Sequence, residues 1–122
     1  MKKFPIILFL YSDNDWKRSV PFKDPEQRVG YEALYTMAQN DFGFRCVRAS
    51  LTWFNGKVFT KYWEFTPTTG WQKVQKPLRP DCIFDKAVLD YRLLPLKMQL
   101  AEQFLILNTW EFDVLTSDKL LT

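Results

Sequence analysis

Residues Pro5-Ile6-Ile7-Leu8-Phe9-Leu10-Tyr11 form an unbroken apolar run that ends at Ser12-Asp13-Asn14-Asp15. A strand with one wet face alternates apolar and polar residues. A run that is apolar throughout predicts a strand buried on both faces, as in the centre of a parallel sheet. Such a strand needs cover above and below, which points to a layered α/β architecture. With Met1-Lys2-Lys3 before it, the run has the look of a secretory leader. It is too short for one, however, and no small-x-small cleavage site follows. Nothing approaches the length of a membrane span. The expected setting is the cytoplasm, with no membrane partner.

The next segments support this class. Asp24-Pro25-Glu26-Gln27 opens a helix: Asp24 is a cap, Pro25 suits the first turn, and Gln27 completes a capping-box spacing. Tyr31, Leu34, Tyr35, Ala38 and Phe42 trace one face, and Gly43 stands where the helix should stop. Phe44 to Leu51 predicts a second strand, giving a βαβ unit with a right-handed crossover. Asn55-Gly56, between Trp53-Phe54 and Lys57-Val58-Phe59, predicts a hairpin with a type I′ turn. Residues 66–80, with Pro67, Gly70, Pro77 and Pro80, read as a connecting loop. Asp81 to Phe84 predicts a strand, 93–104 a helix with Pro95 in its first turn, and Leu105 to Leu107 a last strand. The expected sheet is mainly parallel with an inserted hairpin.

Composition narrows the chemistry. There is no histidine, so histidine catalysis and histidine-ligated metals are excluded within these 122 residues. The net charge of +3 is too small to imply nucleic acid. With four glycines and no glycine-rich turn, a phosphate cradle of that type is unsupported. Cys46 and Cys82 fall in expected strands and read as small buried hydrophobes. No catalytic residue and no metal ligand is assigned.

In an open parallel sheet, ligands sit outside the carboxyl ends of the strands. Asp13 and Asn14 follow the first strand, and Asp85 and Lys86 follow the strand near 81–84. These four are the candidate substrate-binding residues. Ordinary turn chemistry accounts for the same residue types.

The run Pro80-Asp81-Cys82-Ile83-Phe84-Asp85-Lys86-Ala87, followed by a helix, by Ile106-Leu107-Asn108 and by Asp118-Lys119, resembles ATP-grasp ligases. The nearest branch is the one that includes glutathione synthetase. The resemblance implies a Rossmann-like pre-ATP-grasp substrate domain over residues 1–108. Residues 109–122 would then begin a truncated ATP-grasp body, in a helix that starts after Asn108 and has no stop signal. It further implies a parent enzyme that uses ATP and magnesium to join a carboxylate to an amine. Neither cofactor is expected in this chain, which would hold a small-molecule substrate and be inactive alone. Family members often carry arginine after the strand matching 81–84. Here Asp85-Lys86 stands there, without the two-pronged fork of a guanidinium.

A different reading is a non-catalytic α/β interaction module. Seven aromatics lie between Trp53 and Trp71, among lysines at 57 and 61. Clustered aromatics of this kind suit a protein contact. They predict a homodimer through Phe59, Tyr62 or Trp63, with single-stranded nucleic acid as the weaker use of the same patch.

Overall fold

The computed structural model describes residues 5–12, 14–87 and 90–108. The expected helix and second unit at 109–122 lie outside the described residues, as does Asp13. Strands β1 (Ile6–Tyr11), β2 (Arg45–Ser50), β3 (Tyr62–Thr66), β4 (Gly70–Val74), β5 (Cys82–Asp85) and β6 (Leu105–Asn108) form one sheet in the order β4-β3-β2-β1-β5-β6. β1 pairs in parallel with β2 and β5, and β5 with β6. β3 and β4 are antiparallel additions at the β2 edge. The class is α/β and the sheet is mixed. Among the described residues, no helix is long and apolar enough to cross a membrane.

The central position of β1 follows from its composition. Leu8 and Leu10 are fully buried on one face with Val47, Ile83 and Leu100. Phe9 is buried on the other with Cys46 and Tyr35. Helix α1 (Pro25–Phe42) supplies Tyr35, and helix α2 (Leu94–Gln103) supplies Leu100. The two helices therefore cover opposite faces. Asp24 caps α1 by accepting from the Glu26 amide at 3.0 Å. Gly43 closes it at φ 73°, its amide donating to Gln39 while the Phe44 amide donates to Ala38. A left-handed residue after the last turn is the usual way to satisfy those carbonyls.

Phe54 and Phe59 pair as an antiparallel bridge across the Asn55-Gly56 turn, and the longer hairpin of the sheet follows it. That longer hairpin is β3–β4, registered from Tyr62 opposite Val74 to Thr66 opposite Gly70. Pro67 and Gly70 shape its turn, with Gly70 at φ 75° and the Thr69 amide donating to Thr66 Oγ1. Residues 66–80 are thus not all loop. At Asn55-Gly56 the turn is not type I′, because Asn55 does not take positive φ. Instead the Asn55 side chain accepts from the amides of Lys57 and Val58, both at 2.9 Å. Gly56 is still required: it sits at φ 101°, and a Cβ there would lie 3.1 Å from Gln99 Oε1. Gly56→Val should cost about 1–3 kcal/mol of stability through backbone strain. A denaturation midpoint equal to that of the wild type would contradict this.

The aromatic segment is not a surface patch. Trp53, Phe54, Phe59, Tyr62 and Trp63 are all buried within the monomer. Phe59 exchanges two backbone hydrogen bonds with Leu78, both at 2.9 Å, which seats the 53–61 loop in the core. Lys61 and Lys73 lie over the rings of Trp16, Trp53 and Trp63. A dimer through Phe59, Tyr62 or Trp63 would have to take apart this core. Those residues are therefore corrected from interface to core.

Candidate functional site

β1 and β5 end side by side, and the chain leaves them in opposite senses. From β1 it crosses through α1 to β2, and from β5 through α2 to β6. Their carboxyl ends therefore open a crevice, flanked by the 12–24 loop and the start of α1. The cavity there has a volume of about 440 Å³. It is lined by Tyr11 from β1, Arg48 from β2, Tyr31 from α1, Lys86 after β5, and Asp15, Arg18, Lys23 and Asp24 from the loop.

Arg48 is its most unusual member. It is 4% exposed, though it is a cation in a central strand. Its guanidinium carbon lies 3.7 Å from the Tyr11 ring centroid, 4.0 Å from that of Phe22 and 5.3 Å from that of Tyr31. Cation–π attraction of this kind holds the head group flat between rings. Nη1 donates to the Tyr11 hydroxyl and Nη2, at 3.5 Å, to the Pro21 carbonyl. Nε and the hydroxyl of Tyr35, which feels the Arg48 charge, are both buried with no hydrogen-bond partner. No carboxylate of the described residues forms an ion pair with Arg48 or Lys86. Buried cations are normally paired, and an orphaned buried donor is costly.

The neighbouring groups respond to this charge. Burial pushes the Tyr11 hydroxyl far above its ordinary pKa, against the pull of Arg48. Burial also acts upward on Tyr31. There the hydrogen bonds to Lys86 and Tyr11, and then the charges of Lys86 and Arg48, outweigh it and hold the hydroxyl below its ordinary value. Asp15 is buried, and burial raises its carboxyl above the usual 3.8. Its bond from Trp63 Nε1 at 2.8 Å and the Arg48 charge only partly offset this. A raised folded-state pKa contributes stability below the ordinary carboxylate pKa, and that contribution is lost as pH rises through the folded value. Asp15→Asn, which keeps an acceptor for Trp63, should therefore lose less stability than the wild type as pH rises from the ordinary carboxylate pKa through the raised folded value. Parallel melting curves would show the opposite.

Four cationic side chains, Arg18, Lys23, Arg48 and Lys86, thus face two carboxylates that are already engaged. Asp15 accepts from Trp63, and Asp24 caps α1. Cationic side chains outnumber acidic ones in the lining of the crevice. The crevice does not fit magnesium, because its carboxylates are few, bonded, and next to Arg48. Among the described residues, no cluster of three or more His, Cys, Asp or Glu could hold a metal.

No family model, curated protein or solved structure matches this chain. The chemistry of the crevice therefore rests on its own residues.

Of the four residues expected from the sequence, Lys86 lines the cavity. Asp85 is turned toward α2: Lys97 Nζ lies 2.7 Å from its Oδ2, and the Ala87 amide donates to its Oδ1. The strand alternation that sends Lys86 to one face sends Asp85 to the other. Asn14 is exposed and accepts from the Trp16 amide at 3.5 Å, a local turn contact outside the cavity lining. Asp13 lies outside the described residues. Arg48, Tyr11 and Tyr31 were not anticipated. The available signal was a charged residue inside Cys46-Val47-Arg48-Ala49, an otherwise small and apolar strand.

Proposed function

We propose that this chain is the substrate-binding domain of an ATP-dependent carboxylate–amine ligase of the ATP-grasp, glutathione synthetase-like class. In this reading it has a Rossmann-like fold and holds an acidic substrate at the ends of β1 and β5. The observation that carries the reading is Arg48, a buried cation with an unpartnered Nε at the crevice. A carboxylate entering there would meet the Lys86 ammonium and the Tyr31 hydroxyl, with the charge of the buried Arg48 guanidinium beside them. Charge-assisted bonds of this kind are among the stronger ones available to a small ligand. The chain itself supplies binding and orientation only. ATP and magnesium would be handled by the parent enzyme outside these residues, since the crevice fits neither a nucleotide cradle nor a divalent cation. Cys46 and Cys82 are unbridged, which accords with a cytoplasmic setting.

Calorimetry with small carboxylates, matched amines and Mg-ATP tests the reading. Carboxylates should bind, with affinity falling as salt rises, while amines should not, and Mg-ATP should show no micromolar binding. Tight Mg-ATP binding, or equal affinity for amines and carboxylates, would overturn it.

A further inference from the structure

A second cavity, of about 640 Å³, adjoins the crevice and shares Gln27, Tyr31 and Lys86 with it. Its walls are apolar. α1 contributes a stripe at helical spacing, Gly30, Leu34, Met37 and Ala38, and the sheet contributes Phe9 and Phe84. Leu34 and Met37 are 39% and 47% exposed, as is Phe42 at 64%, so the apolar face of α1 is wider than the strands it covers. Leu34 and Phe42 share one helix face with Tyr31, Tyr35 and Ala38. The structure places them at this groove.

Gly30 is the informative residue. It lies mid-helix, where glycine weakens the helix relative to alanine. Its φ is not positive, and a Cβ there would meet nothing within 4 Å. Neither backbone geometry nor packing calls for glycine. A larger side chain at this groove-lining position would take up part of the groove.

We propose that the ligand is an amphipathic carboxylate. Its head group lies against Arg48 and Lys86, and an apolar tail runs between α1 and the β1–β5 face. This rests on the reading of the crevice as a carboxylate site and adds the class of substrate. The combined volume, the single cationic end and the apolar remainder match the way small-molecule sites are built, with few polar groups at one end of an apolar cleft. The charge at one end selects an anion over a neutral lipid or an apolar protein segment.

Calorimetry with butyrate, octanoate and 1-octanol tests this. Octanoate adds four methylenes to butyrate. Each pair that is seated should tighten binding roughly tenfold, so octanoate should bind up to about a hundredfold more tightly. Gly30→Leu, which favours the helix and fills the groove, should make the two acids bind alike. Lys86→Glu should weaken octanoate roughly tenfold or more. Equal binding of the two acids to the wild type would overturn the tail while leaving the carboxylate site standing. 1-Octanol binding as tightly as octanoate, untouched by Lys86→Glu, would also overturn it. If neither acid binds, both the tail and the carboxylate site fall. If sedimentation shows a dimer that Gly30→Leu dissociates, the groove is covered by a second copy and the proposal is overturned.

Discussion

Trp63→Ala should be the most damaging single truncation in the molecule. Among the described residues, Trp63 is the largest fully buried side chain, at 1% exposed. It packs edge-on against Trp16 at 5.9 Å and Trp71 at 6.4 Å, which joins the 12–24 loop to the hairpin. Removing a buried tryptophan side chain typically costs about 3–5 kcal/mol from lost burial and the cavity left behind. Its Nε1 also supplies the hydrogen bond to buried Asp15. Leaving that carboxylate without its donor adds about 1–3 kcal/mol. The total is comparable with the whole stability of a typical domain, about 5–15 kcal/mol. The variant should be largely unfolded or should melt at a much lower denaturant concentration. Trp63→Phe separates the two contributions, since it keeps most of the ring packing and loses the donor. A loss below about 2 kcal/mol for Trp63→Ala would show that this junction is not central to the core.

Arg48→Met should have the largest effect on binding with little effect on folding. Methionine is long and apolar and fills the space between the rings of Tyr11, Phe22 and Tyr31. The substitution loses the cation–π contacts but also removes a buried charge and its orphaned donor, two effects of opposite sign. Stability should change by less than about 2 kcal/mol. Carboxylate affinity should fall roughly a hundredfold, the equivalent of losing about 3 kcal/mol of charged hydrogen bonding. Without the Arg48 charge, the Asp15 carboxyl should titrate higher still. Unchanged affinity would remove Arg48 from the site. Global unfolding would make it a structural residue instead.

What the sequence disclosed, and what it hid, divides along physical lines. β1 was legible because burial on both faces forces every position to be apolar. α1 was legible because Asp24, Pro25 and Gly43 act within a few residues of themselves, and local chemistry survives folding. The Asn55-Gly56 turn was legible and closes a short antiparallel bridge from Phe54 to Phe59. The longer β3–β4 hairpin around Pro67-Thr68-Thr69-Gly70 was hidden, because its turn residues read as loop and its place depends on the register of β3 on β2. The β2–β3 pairing carries an ion pair from Arg45 to Glu64 at 2.8 Å, nineteen residues away in the chain. No local pattern announces such a partner. The same limit applies to the site. Position after a strand correctly offered Lys86, but it offered Asp85 equally, and only the pleat tells them apart. Arg48 reaches the crevice because β2 lies beside β1, a fact of topology.

The central claim is that the buried Arg48 guanidinium awaits an anion, and its Nε–H can be followed directly. In ¹⁵N-labelled protein, that resonance is already shielded from solvent by burial, so the ligand-dependent signal is its chemical shift. It should shift on adding a small carboxylate, with the response blunted in Lys86→Glu. An Arg48 Nε–H whose shift does not change at saturating carboxylate would contradict the account.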